Sequence, residues 1–248
     1  LGLWLLLMMI FVYAYPAWKI WNRHRIPVHQ RYVQLAARSS GAPESTLRSL
    51  TAASDAIDAA GFRSRGLIQH LRPDGMTTLA ALHDEPSGDT TCAAVVVFRN
   101  GKEMSPSVLL NFLSEYDNGD RVTTSNALYN YPLYRDPTVS FGQFPEVTNA
   151  GALASVHRRI LEVRGGVLRP SMFPDDPSYR FGSRIDADWE RQVEFGTIRR
   201  EEGAPFYRMT AYGAALMVWR LRPPSSWLLR ALMRRRARAL ARRLVPTY

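Results

Sequence analysis

Turn-forming groups interrupt the stretch from residue 62 to 127 four times: Pro73-Asp74-Gly75, Pro86-Ser87-Gly88-Asp89, Asn100-Gly101 and Asn118-Gly119. Between them lie short runs rich in β-branched and apolar residues, such as "TTCAAVVVF" and "SVLLNFL". That pattern predicts four or five antiparallel strands joined by tight turns. Asn118-Gly119 is the best hairpin signal, because Asn-Gly supplies the positive φ values of a type I′ turn.

Helical patterns flank the strands. In "ESTLRSLTAASDAIDAAG" the residues Leu47, Leu50, Ile57 and Ala60 recur near helical spacing, and Gly61 suits the C-terminal cap. In "TNAGALASVHRRILEVRGG" the stripe is Leu153, Val156, Ile160 and Val163, with Thr148 or Asn149 as cap and Gly165 as stop. "DADWERQVEFGTIRREEG" and "YRMTAYGAALMVWRLR" also read as helices, the latter ended by Pro223-Pro224. Residues 19–43 read as a basic connector, helical through "RYVQLAAR", and 129–144 as an aromatic, Pro-rich loop. The expected architecture is therefore α+β.

The chain opens on "LGLWLLLMMIFVYAYPAW", which carries no charge from Leu1 to Trp18. A run of 18 to 20 apolar residues is long enough to cross a bilayer as a helix. Lys19, Arg23 and Arg25 follow, with no acid before Glu44, and Trp18 and Trp21 suit a membrane interface. A signal peptide would carry its positive charge before the run, and a core helix is rarely uncharged over such a length. The expectation is a single-pass anchor over 1–18 in the inner (cytoplasmic) membrane, N-terminus outside. A basic connector (19–43), a cytoplasmic domain (44–222) and a terminal helix (223–248) follow. This layout is similar to that of capping subunits of energy-transducing membrane complexes.

Charge is distributed unevenly. The formal net charge is +10, and nine arginines but no acid lie between Arg220 and Tyr248. The rest is nearly neutral, unlike a globular nucleic-acid binder with a basic face. Only Lys19 and Lys102 are lysines, a bias that suits a GC-rich bacterial genome. At 100° per residue, Leu229, Met233, Ala237, Leu240 and Leu244 share one arc of the terminal helix, with Leu228 and Leu232 at its edge. Arg230, Arg234, Arg235, Arg238 and Arg242 lie opposite. A basic amphipathic helix with Trp227 and Trp219 beside it predicts contact with anionic membrane lipid. Arg236 and Arg243 fall inside the apolar arc and are expected to snorkel or to meet a partner subunit, as are Tyr131, Tyr134 and Phe141 of the aromatic loop.

No P-loop, dinucleotide fingerprint, zinc-protease motif or nucleophile elbow occurs. No cofactor, metal or catalytic residue is assigned. His83-Asp84-Glu85 gathers possible ligands, but neighbours on a strand point to opposite faces. The lone Cys92, inside an apolar run, reads as a buried thiol. The functional expectation is a non-catalytic accessory or scaffold subunit of a bacterial membrane complex. The alternative is a tethered enzyme or sensor for an anionic lipid or small ligand, with His83, His157, Asp175 and Asp176 as its first candidates.

Overall fold

The computed structural model describes residues 2–28, 32–35, 41–71, 75–99, 102–103, 108–127, 136–170 and 177–244. The helices are α1 (Gly2–Met9), α2 (Tyr15–Arg23), α3 (Glu44–Ala59), α4 (Ala150–Arg164), α5 (Pro177–Glu194), α6 (Ala211–Leu221) and α7 (Ser225–Leu244), with a π-helical segment, Ile10–Ala14, between α1 and α2. The strands are β1 (Arg25–Pro27), β2 (Tyr32–Leu35), β3 (Arg63–Leu71), β4 (Met76–Asp84), β5 (Thr91–Arg99), β6 (Lys102–Glu103), β7 (Leu109–Glu115), β8 (Arg121–Ser125), β9 (Val139–Gln143), β10 (Ile198–Arg200) and β11 (Phe206–Met209). The architecture is α+β with two sheets. The chain divides into two compact units.

The larger unit is built on a sheet in the order β2-β3-β4-β5-β7-β8-β9, with β6 paired to β5. Every pairing is antiparallel except β8 with β9, which is parallel. Strand alternation sends Leu79, Cys92, Ala94, Val96, Phe98, Leu110 and Phe112 into the main core. There α3 contributes Leu50 and Ile57, and α4 contributes Leu153, Ala154 and Val156. Each fully buried Leu, Ile or Phe here stabilises by roughly 1.5–3 kcal/mol. A second buried group holds Ile68, Ala80, Leu82 and Ala93, covered in part by Tyr32, Val95 and Phe181. Asn149 caps α4 by accepting from the Ala152 N–H at 2.9 Å, and Gly165 ends it at φ +65°. The buried side of α4 is Leu153, Ala154, Val156 and His157, whereas Val163, expected in the stripe, is 66% exposed.

The smaller unit holds the sheet β1-β11-β10, all antiparallel. Ile26, Val28, Ile198, Tyr207, Met209 and Ala214 form its core, with Ala17, Ile20, Trp189, Val193, Leu216 and Met217 packed around them. Two of its strands, β10 and β11, replace expected helix. The segment read as helical to residue 203 ends at Glu194, turns at Gly196 (φ +69°) and becomes β10. The segment read as helical from Tyr207 is a strand until Met209. Thr210 then caps α6 by accepting from the Gly213 N–H at 3.0 Å.

The anchor expected over residues 1–18 is overturned. Among the described residues no helix is long and apolar enough to cross a membrane. The uncharged run is divided into α1 of eight residues and a five-residue π segment, and it ends inside α2, which carries Lys19 and Arg23. One side of the run is also used inside the protein: Ala17 and Ile20 pack into the core of the smaller unit, and the Tyr13 hydroxyl donates to Pro223 O at 2.7 Å. A helix occupied by protein along one side does not present lipid-facing residues all round. The single-pass topology, the outside N-terminus, the inner-membrane placement and the likeness to capping subunits fall with the span. The sheet is also larger than four or five strands, because β2 comes from the supposed connector and β9 from the supposed loop.

Candidate functional site

Ala, Leu and Arg are strong helix formers and make up most of α7. Pro223 and Pro224 end α6, and α7 starts at once: the Trp227 and Leu228 N–H groups both donate to Pro224 O at 3.1 Å. Ser226 is buried, and Leu229 and Met233 are half-buried. Trp227 and Leu228 are 63% and 62% exposed, and Leu232 is exposed as well. Arg234, Arg235, Arg236 and Arg238 are all exposed. Arg230, Arg242 and Arg243 belong to the helix, but their side chains lie outside the described set.

Among the described residues, acidic neighbours of α7 are few. Arg238 grips Glu146 with two hydrogen bonds, Nη2 to Oε1 at 2.7 Å and Nε to Oε2 at 3.2 Å. This guanidinium, with Arg234 adding to it, holds the Glu146 carboxyl below the usual carboxylate range. Among the described residues neither Arg235 nor Arg236 has an acidic partner. A helix that shows solvent apolar side chains in its first turns and unneutralised guanidinium groups after them can bind a surface that is both greasy and negative.

The remaining interface candidates divide. Trp18, Lys19, Trp21, Arg23 and Trp219 are exposed. Arg25 is half-buried, its guanidinium 5.4 Å from the Phe206 ring centre, and it donates to His24 O at 3.1 Å. Phe141 is half-buried on β9. Tyr131 and Tyr134 lie outside the described residues, as do Asp175 and Asp176 of the alternative reading.

The histidines of that alternative occupy separate hydrogen-bonded groups. His83 is fully buried, with Nε2 at 2.9 Å from Ser54 Oγ and 3.5 Å from Asp58 Oδ1, both on α3. Burial lowers its pKa, against the pull of the Asp58 carboxylate. A catalytic triad would place serine and acid on different ring nitrogens; here both approach the same one. Asp84 instead takes the Arg65 guanidinium at 2.7 Å, and Glu85 takes Arg158 at 2.8 Å, so the three adjacent side chains serve three partners. His157 is sealed between Ser114 and Thr124. No cluster of three metal-binding side chains occurs among the described residues. Cys92 is buried, which pushes its thiol well above the ordinary range.

Compared with known protein families, curated proteins and solved structures, the chain finds no match.

Sequence reasoning missed the Thr90–Ser114–His157–Thr124 group. Its members come from the end of a turn, two strands and a helix, and only the folded topology brings them together.

Proposed function

We propose that this chain is a non-catalytic accessory or scaffold protein that α7 docks, from the side, onto an anionic lipid surface. The observation that carries this reading is the exposed set Arg234, Arg235 and Arg238 on one face of α7, following exposed Trp227, Leu228 and Leu232 on the same helix. The aromatic and leucine side chains suit the acyl boundary, and the arginines suit phosphate oxygens, which their planar fork binds in pairs. Docking of this kind needs no span. A tethered enzyme or sensor is not favoured by any observation, since His83 and His157 have separate partners.

The test is co-sedimentation of the full chain with vesicles of phosphatidylcholine alone or mixed with phosphatidylglycerol. Binding should require the anionic lipid and weaken as salt rises. Changing Arg234, Arg235 and Arg238 together to Glu should reduce it by at least about 100-fold, at about 1 kcal/mol for each basic residue near the surface. Equal binding to both vesicle types would overturn the reading.

A further inference from the structure

The first helical segment has two sides. Ala17, Ile20 and Tyr13 turn toward the smaller unit, as described above. Away from that core Trp4, Met8, Phe11, Tyr15 and Trp18 are exposed one after another along α1, the π-helical segment and α2. They are not marginal: Trp4 is 75% exposed and Phe11 69%. Isolated exposed apolar side chains are ordinary, but a continuous row of large ones marks a surface that meets something else.

The chemistry at the end of the row says what that is. Lys19 and Arg23 are exposed beside Trp18 and Trp21, and no acid occurs before Glu44. Indole rings next to cations are the side-chain set of a headgroup region carrying negative charge. The same unit presents a second exposed apolar group, Trp227, Leu228 and Leu232. The two are joined within that unit: Tyr13 binds Pro223 O just before α7, and its ring lies 6.0 Å from that of Trp219. A second copy of the chain would meet the row with an equally uncharged row, which supplies no acid for Lys19 and Arg23.

We infer that the outer face of residues 4–18 is a second lipid contact, lying along an anionic bilayer surface with Trp4, Phe11 and Trp18 turned into the acyl boundary. This inference rests on the lipid-docking reading of α7. The segment lies on the surface and does not cross it, because Ala17 and Ile20 near its end are held in the core of its own unit and Tyr13 is bound to Pro223 O.

The experiment uses the full chain with Phe11→Cys carrying an environment-sensitive fluorophore; the buried Cys92 stays unlabelled. Anionic vesicles should shift its emission to the blue, and lipids brominated along the acyl chains should quench it. The triple variant Trp4→Ser, Phe11→Ser, Trp18→Ser should lose at least about tenfold in partitioning, the equivalent of ~1.4 kcal/mol, and should lose mainly the part that resists high salt. A protein that sediments with the vesicles while its label stays water-exposed would overturn this inference and leave the α7 reading standing. No sedimentation at all would overturn both. A blue shift that grows with protein concentration in the absence of vesicles would name a second copy as the occupant and overturn the lipid contact.

Discussion

His157 Nε2 lies 3.1 Å from Ser114 Oγ, and both groups are sealed from solvent. The chain of contacts extends in both directions, from Ser114 Oγ to Thr90 Oγ1 at 3.0 Å and from His157 Nδ1 to Thr124 Oγ1 at 2.8 Å. A neutral imidazole has one donor and one acceptor nitrogen, and hydroxyls rotate to suit either. The group therefore satisfies itself and fixes where α4 sits on β7 and β8. Replacing His157 by Leu leaves Ser114 and Thr124 each short of a buried partner. The variant should lose about 1–3 kcal/mol of unfolding free energy, read by urea denaturation.

The same histidine gives the protein a particular acid sensitivity. Burial, with the nearby Arg158 charge adding to it, pushes His157 down from 6.5 to about 3. The unfolded chain takes up a proton there that the folded chain refuses. Its contribution is thus fully present above about pH 6.5 and is lost as pH falls from there toward 3, at up to about 1.4 kcal/mol per pH unit. Stability measured at successive pH values should show this limb in the natural chain. In His157→Gln the limb should be shallower. An identical slope in both would show that His157 is not its source.

Asp58 works against burial at His83. Its carboxylate, 3.5 Å from Nε2, favours the charged ring, while desolvation disfavours it more strongly. Removing that charge in Asp58→Asn should lower the His83 pKa further, seen as a shift in the NMR titration of its ring proton. A rise would contradict the arrangement of α3 over β4.

At Gly213 the first turn of α6 presses on the backbone before β10. A Cβ there would stand 1.9 Å from Thr197 O and 2.8 Å from Thr197 C. Both are main-chain atoms, so no side chain can swing away. Gly213→Ala should cost upwards of about 1–3 kcal/mol, whereas Gly2→Ala, with nothing within 4 Å, should be silent. Thermal melts of the two variants make the comparison.

Glu146 competes for the docking helix. It is the acid that Arg238 grips, and the pair is exposed. Glu146→Gln should leave the melting temperature unchanged, since exposed pairs contribute little. It should strengthen binding to phosphatidylglycerol vesicles by releasing Arg238. Weaker binding would show that the pair positions α7 instead of restraining it.

What could be read in advance follows the range of the interactions. The turns at Gly75, Gly88 and Gly119, all at positive φ, were legible because glycine and its neighbours decide them locally. The Asn149 cap was legible for the same reason. The short strands were not: β1 and β10 have three residues each, too few to show alternation, and β9 contains Gly142 and pairs in parallel with a strand that ends fourteen residues earlier. His157 reads in the sequence as a candidate for a ligand site, yet its partners are set by strands 33 and 43 residues away. The largest error concerned the N-terminal run. Uncharged sequence reports that a segment avoids water, but not whether protein covers part of it, and nothing in "MMIFVYAY" announces a change of helical pitch. For α7 the arginine row was plain, whereas the exposure of Leu228 and Leu232 depends on which side the fold covers.

That change of pitch sets a phase. Across Ile10–Ala14 the backbone bonds span five residues instead of four, so the turn holds a residue that an α-helix would not accommodate. Deleting one residue there would return the segment to α-helical pitch with its flanks near their present phase, whereas deleting one between Trp4 and Met8 in α1 would turn the residues before it by about 100° about the axis. Trp4 would then leave the side it shares with Met8 and Phe11 without any aromatic side chain being lost. The continuity of that row is therefore stored in residue count as much as in residue type, and a chain so shortened, of almost the same composition, would carry a row broken into two parts facing different directions.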